Sequence, residues 1–196
     1  MKIIGLAGTN GSGKDTVAHL LAERHGFLFA GATEMLAAEL IKRGLPTDRM
    51  HKSQLSAEWR RKLGMAALVD KAMEQINANP DKYKGIIVGS LRHPAEADRV
   101  HELGGTMLWV DADQRIRYDR IQANALARGR AIEDNKTFED FLADEVREMH
   151  PEGDAATLNM SAVKDRADIF LQNNGNDIDV FKAEAIKTLE PLLNNS

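Results

Sequence analysis

The chain alternates short, continuously apolar runs with longer stretches in which apolar residues recur every three or four positions. That rhythm predicts strands buried on both faces, separated by amphipathic helices. Residues 3–7 predict the first strand. Residues 15–25 predict a helix, with Val17, Ala18, Leu20 and Leu21 on one face and Gly26 as its stop. A second strand follows at 27–30, then a helix over 34–43 ended by Gly44. Ser53 or Ser56 is the expected cap of one long helix reaching about Asn79, just before Pro80. Residues 85–91 predict the third strand, and Pro94 suits the first position of a helix ending near Gly104. The fourth strand is expected at 106–111 and a helix over 114–128, broken at Arg128-Gly129-Arg130. Thr137, with Asp140 three residues on, is expected to cap another helix. A loop over 151–157, a fifth strand at 169–172, a turn at 173–176 and a last helix over 179–193 complete the reading. Strands alternating with helices imply a parallel sheet covered on both faces. No repeat, low-complexity tract or linker divides the chain, so residues 1–196 are expected to form a single domain.

Composition narrows the chemistry. A chain of 196 residues buries about 70% of its unfolded surface, enough for a core without cross-links. There is no cysteine, which excludes disulfides, thiolate metal sites and a cysteine nucleophile. The net charge of −4 and an aromatic content of 5% argue against a nucleic acid polymer as partner. No apolar run approaches the roughly 18 residues of a membrane span. The apolar start at residues 1–7 is too short for a signal peptide, so no membrane partner and a cytoplasmic location are expected. None of the six histidines forms a zinc-hydrolase pair.

The most specific signal is Gly8-Thr9-Asn10-Gly11-Ser12-Gly13-Lys14-Asp15-Thr16, a G-x-x-x-x-G-K core between an apolar strand and an amphipathic helix. Glycines at 8, 11 and 13 let successive N–H groups of the loop, Asn10 and Ser12 included, turn toward phosphate oxygens. The helix that follows directs its positive dipole end at the same anion. Lys14 can reach the outer phosphates as a mobile point charge. The residue after the lysine departs from the usual Ser or Thr. Asp15 stands there as a candidate Mg²⁺ ligand, with Thr16 next to contact the α-phosphate. The bland alternative for Asp15 is a first-turn acid on the helix dipole.

This loop resembles the G-K-D-T loops of phage-type deoxynucleoside monophosphate kinases and dephospho-CoA-kinase-like proteins. The stretches Trp59-Arg60-Arg61-Lys62-Leu63-Gly64, Gly89-Ser90-Leu91-Arg92-His93-Pro94-Ala95-Glu96, Arg117-Tyr118-Asp119-Arg120 with Arg128-Gly129-Arg130, and Asn173-Asn174-Gly175 are similar to further segments of that family. The resemblance implies a three-layer α/β/α P-loop NTPase fold with a five-stranded parallel sheet. It also implies a helical acceptor-binding region over about residues 31–79 and a lid over about 120–150. ATP and Mg²⁺ are the implied cofactors.

Arginines are the expected partners of the transferring and acceptor phosphates. Arg92, just past the third strand, falls at the edge that faces the ligand crevice in such sheets. Arg128 and Arg120 are the expected catalytic lid arginines, and Glu34, Arg60 and Arg61 the further acceptor-side candidates. Surface solvation is the competing reading for each arginine. Asp111 reads as an ordinary strand-end acid or helix cap. The third strand ends in Gly89-Ser90, where relatives carry an aspartate, and no aspartate follows the second strand to serve as base. A nucleoside monophosphate needs no strong base, because its nucleophile is already an anionic oxygen, whereas the ribose hydroxyl of dephospho-CoA would benefit from one. The reading is therefore an ATP-dependent kinase, monomeric or homodimeric, acting on a small phosphorylated acceptor. A (deoxy)nucleoside monophosphate is the first choice and dephospho-CoA the alternative. A nucleotide-dependent switch and a non-catalytic binding module are the remaining classes.

Overall fold

The structure, a computed structural model, describes residues 1–125, 135–150 and 152–194. Among these, five strands form one sheet: β1 (Lys2–Gly8), β2 (Phe27–Gly31), β3 (Gly85–Gly89), β4 (Thr106–Asp111) and β5 (Ile169–Gln172). Every neighbouring pair is parallel and the order is β2-β3-β1-β4-β5. The helices are α1 (Lys14–His25), α2 (Ala32–Lys42), α3 (Arg49–Leu63), α4 (Ala67–Asn77), α5 (Pro94–Glu102), α6 (Gln114–Ala123), α7 (Phe138–Met149), α8 (Met160–Lys164) and α9 (Ile178–Asn194). The expected three-layer α/β/α architecture with a five-stranded parallel sheet is the one observed.

Side-chain alternation along β1 builds two cores. Ile3 and Ala7 join Ile86, Val88, Met107 and Trp109 on the face covered by α4, α5 and α8. Ile4 and Leu6 join Ile87, Leu108 and Val110 on the face covered by α1 and α9. A third, smaller cluster of Leu36, Leu40, Leu55, Trp59 and Leu68 holds α2, α3 and α4 together beside the sheet. None of the described helices is long and apolar enough to cross a membrane.

Three elements differ from the sequence expectation. The long helix expected up to Asn79 is two helices, because Gly64 adopts φ 109° and ψ 154°, far from helical geometry, between α3 and α4. Its start lies earlier too: Asp48, not a serine, caps α3 by accepting from His51 N at 3.0 Å. The short helix α8 had no periodic signal in five residues. Arg128, together with Gly129 and Arg130, lies outside the described residues.

The strands end nearly flush at their carboxyl edge, since Leu6 pairs with Gly89 and Gly8 with Val110. Ser90, the residue after β3, takes φ 63°, a left-handed conformation unusual for a side-chain-bearing residue. The bend lets Leu91 N donate to Leu6 O at 3.2 Å and buries Leu91, so the chain re-enters the edge with Arg92 next in line.

Candidate active site

The phosphate loop joins β1 to α1 at the centre of this edge. Gly8 has φ 151°, and a Cβ there would lie 2.2 Å from the Val110 carbonyl oxygen. Gly13 has φ 95°, and a Cβ there would lie 2.6 Å from Asn173 Nδ2. Both positions therefore exclude a side chain on conformation and on space. Ser12 is fully buried, and its hydroxyl has no hydrogen-bond partner among the described residues. A buried orphan hydroxyl inside a glycine loop at a helix N-terminus fits an anion such as a phosphate group. Lys14 opens α1 and Asp15 is exposed on its first turn. Thr16 is half-buried, with its N–H donating to Gly13 O at 3.0 Å.

The loop is braced from the far end of the chain. Asn173 Nδ2 donates to Ser12 O at 2.8 Å in a buried contact. Arg120 in turn holds Asn173, donating to its backbone carbonyl at 2.9 Å and also reaching Gly175 O. Burial lowers the Arg120 guanidinium from its ordinary value without threatening its charge. The visible task of Arg120 is to fix the turn after β5, which in turn braces the loop. Asn173→Ala should leave the Ser12 carbonyl unpaired and cost about 1–3 kcal/mol, read from chemical denaturation; an unchanged unfolding midpoint would count against the brace.

Asp111 is placed more centrally than a strand-end acid. Its Oδ1 accepts from Thr9 Oγ1 at 2.6 Å and from Ala112 N at 2.9 Å. Its Oδ2 accepts from Trp109 Nε1 at 3.3 Å, and Lys164 Nζ stands 3.6 Å away. Arg117 is only 2% exposed and turns inward. It donates to Ala112 O at 2.8 Å and Asn10 O at 3.3 Å and pairs with Glu145 of α7. Asp111 and Arg117 therefore clasp the first half of the loop through Thr9 and Asn10. Neither contact could be seen in sequence, because each spans roughly a hundred residues.

Arg92 follows the turn after β3 at the carboxyl edge of the sheet. Its Nη1 lies 3.0 Å from Glu148 Oε1 of α7, and Arg49, the first residue of α3, contacts the same oxygen. Arg49 was not singled out from sequence. Its signal is the aspartate cap before it, which makes it the first residue of a helix pointing at the site. Glu34 is exposed, and its Oε2 folds back over Gly31 at the carboxyl end of β2.

Arg60 and Arg61, the other arginines expected on the acceptor side, are each engaged by a carboxylate of the chain. Arg60 is 3% exposed, and its guanidinium is occupied by Glu96, which is fully buried, with Nη2–Oε1 at 2.8 Å and Nε–Oε1 at 3.1 Å. The other Glu96 oxygen accepts from the N–H groups of Arg92 and His93 at 2.9 and 3.1 Å. Arg60 is thus a buried strut that pins α3 to the turn carrying Arg92. Arg61 lies on the solvent side of α3, paired with Asp154 at 2.7 Å, both about half exposed. His93 is the cap of α5: its Nδ1 accepts from Ala95 N at 3.2 Å, which leaves Nε2–H to donate to Ala155 O at 2.7 Å.

Comparison with known proteins agrees with this fold. The AAA domain family model matches residues 4–153. The chain is 26% identical over 191 residues to the UPF0200 protein of Pyrobaculum aerophilum, the match covering 96% of this chain and 97% of the relative. The structure of shikimate kinase from Acinetobacter baumannii in complex with shikimate superposes with a TM-score of 0.55 at 17% identity, covering 100% of this chain and 95% of that one. A gluconokinase from Sinorhizobium meliloti gives 0.55 at 16% identity, covering 99% and 94%. The structural likenesses show a P-loop kinase fold, and by the match over residues 4–153 the chain belongs to the AAA domain family.

Proposed function

We propose that the protein is an ATP-dependent phosphotransferase that moves the γ-phosphoryl group to a small phosphorylated acceptor, with a (deoxy)nucleoside monophosphate as first choice and dephospho-CoA as the alternative. The observation that carries this reading is the pairing of two anion-binding features across one crevice. Thr9 and Asn10 of the glycine loop line a cavity together with Arg49 and Glu148, and Arg92 meets Arg49 at Glu148. A transferase needs both, because phosphoryl transfer is chiefly positioning and charge neutralisation between two anions.

Lys14 would bridge the outer phosphates, and the loop amides and the α1 dipole would hold the inner ones. Arg120 and Asn173 would keep the loop in shape on the α1 side. Asp111 and Arg117 would do so on the other side. Arg92 would orient the acceptor so that its oxygen lies in line with the phosphoryl group. Mg²⁺ would supply further charge neutralisation. Among the described residues no group of three or more acidic or imidazole side chains is placed to hold a metal. The fit is therefore to an ion bound largely by phosphate oxygens, with Asp15 as the candidate protein ligand. The Asp111 carboxylate is already engaged by three donors, which suits an acceptor whose nucleophile is ionised and needs no strong base.

The test is a product assay by mass spectrometry, with ATP and Mg²⁺ and each common (deoxy)nucleoside monophosphate or dephospho-CoA in turn. ADP together with one diphosphate is the expected result, and CoA would instead select the alternative. ATP binding with no phosphorylated product from any of them would overturn the reading in favour of a nucleotide-binding switch or module.

A further inference from the structure

The chain bends at the carboxyl end of β3 on a residue poorly suited to the bend. Ser90 has φ 63°, and every other described residue with φ in the left-handed region is a glycine. There Cβ crowds the following carbonyl oxygen, a cost that glycine does not carry. The backbone is fixed on both sides of the bend. Gly89 is paired in the sheet with Leu6 of β1 and Gly31 of β2. Leu91 N donates to Leu6 O at 3.2 Å, and Arg92 N donates to Glu96 Oε2 at 2.9 Å. A glycine at position 90 would meet all these backbone demands with less strain, since none of them uses the serine side chain.

The hydroxyl of Ser90 has no hydrogen-bond partner among the described residues, and the residue is half-buried. Leu6 is level with Gly89, so Ser90 leaves the sheet beside the point where β1 runs into the glycine loop. Its neighbours offer no polar side chain there. Leu91 is buried. Gly89 has none, and a Cβ on it would lie 2.5 Å from Cε2 of Phe29, so the Phe29 ring takes the space of any side chain at the last residue of β3. Ser90 is thus the one polar side chain that β3 and its turn present before Arg92. A serine hydroxyl carries one donor that rotates to suit its acceptor. Backbone strain of this kind persists where the surroundings over-determine it, and it clusters at ligand sites.

We propose that Ser90 is a phosphate-binding residue: its hydroxyl donates to an oxygen of the outermost phosphate of the nucleotide on the glycine loop, the group that is transferred. β3 is the strand beside β1 on the side that leads to Arg92, which is where the transferred group must travel if the acceptor is held there. The inference rests on the kinase reading for the identity of the nucleotide, but binding alone tests it.

The experiment is calorimetric titration of the unaltered protein, Ser90→Gly and Ser90→Ala with ATP and, separately, with ADP, each with Mg²⁺, beside a thermal melt of all three proteins. Ser90→Gly removes the hydroxyl together with the strain, and Ser90→Ala removes the hydroxyl alone. Both variants should bind ATP about tenfold or more weakly, the scale of a hydrogen bond to a charged group. Both should bind ADP, which lacks the outermost phosphate, as the unaltered protein does. Ser90→Gly should melt no lower than the unaltered protein, so that weaker ATP binding is not a loss of fold. Equal ATP binding in all three proteins, absent binding included, or a loss shared equally by ADP, would overturn the proposal. A lower melt of Ser90→Gly would do the same, by showing that the serine side chain serves the fold. The two readings fail separately: a selective loss of ATP binding without kinase product rejects the kinase alone, and kinase product with unchanged ATP binding in both variants rejects the role of Ser90 alone.

Discussion

Lys14→Ala is expected to lower phosphoryl transfer by at least about 10²–10³-fold, the scale for removing one preorganised charge-stabilising donor from a transition state. Its thermal melt should stay within the small range typical of substitutions outside the core. The reason is the division of labour in the loop. The fold of the loop depends on Gly8 and Gly13, on the Asn173 amide and on the Thr9–Asp111 contact, none of which involves the lysine side chain. In the proposed function the lysine would be the cation that follows charge from the bridging oxygen to the leaving phosphate. Steady-state kinetics with the acceptor identified by the product assay, beside a calorimetric melt, separates the two effects. Turnover equal to that of the unaltered protein would remove the glycine loop from the chemistry.

The largest expected loss of stability comes from breaking the buried pair between Arg60 and Glu96. Arg60→Met or Glu96→Leu alone leaves one charge buried without its partner, at a cost of about 3–5 kcal/mol. For a chain of this size that corresponds to a melting temperature roughly 6–20 °C lower. Glu96→Leu should be the more severe, because it also removes the acceptor of the Arg92 and His93 N–H groups. The double variant Arg60→Met/Glu96→Leu should recover part of the loss, since it no longer buries a lone charge. Additive single effects in thermal melts would show that the two side chains are not coupled. The same variants should weaken acceptor use, because the pair fixes the turn carrying Arg92 to the helix that begins with Arg49.

The sequence was most informative where the determinants are local. Strand order, the glycine loop, the helix start at Pro94 and the cap at Thr137 depend on residues a few positions apart, and these were legible. The reading failed where a side chain answers to a distant partner. Arg60 and Arg61 look alike in sequence, yet one is sealed against Glu96, 36 positions away, and the other pairs at the surface with Asp154. Asp111 looked like any acid at a strand end until the fold brought Thr9 to it. Gly64 interrupts what the sequence reading takes as one helix, through a backbone conformation far from helical. Arg49 and Glu148 carry no motif. Their meeting is set by how α3 and α7 are packed at the carboxyl edge of the sheet.

The amide of Asn173 reaches back across 161 positions to the carbonyl of Ser12. Synthesis proceeds from the N-terminus, so the glycine loop leaves the ribosome well before its brace. Until β5 has added to the edge of β4, the loop has its glycines and its helix but nothing to hold the Ser12 peptide in place. A nascent chain can assemble β1, β3 and β4 into a partial sheet and still present an unfinished anion seat. Completion of that seat is thus tied to the addition of β5, which makes it later than the assembly of the strands that carry the loop.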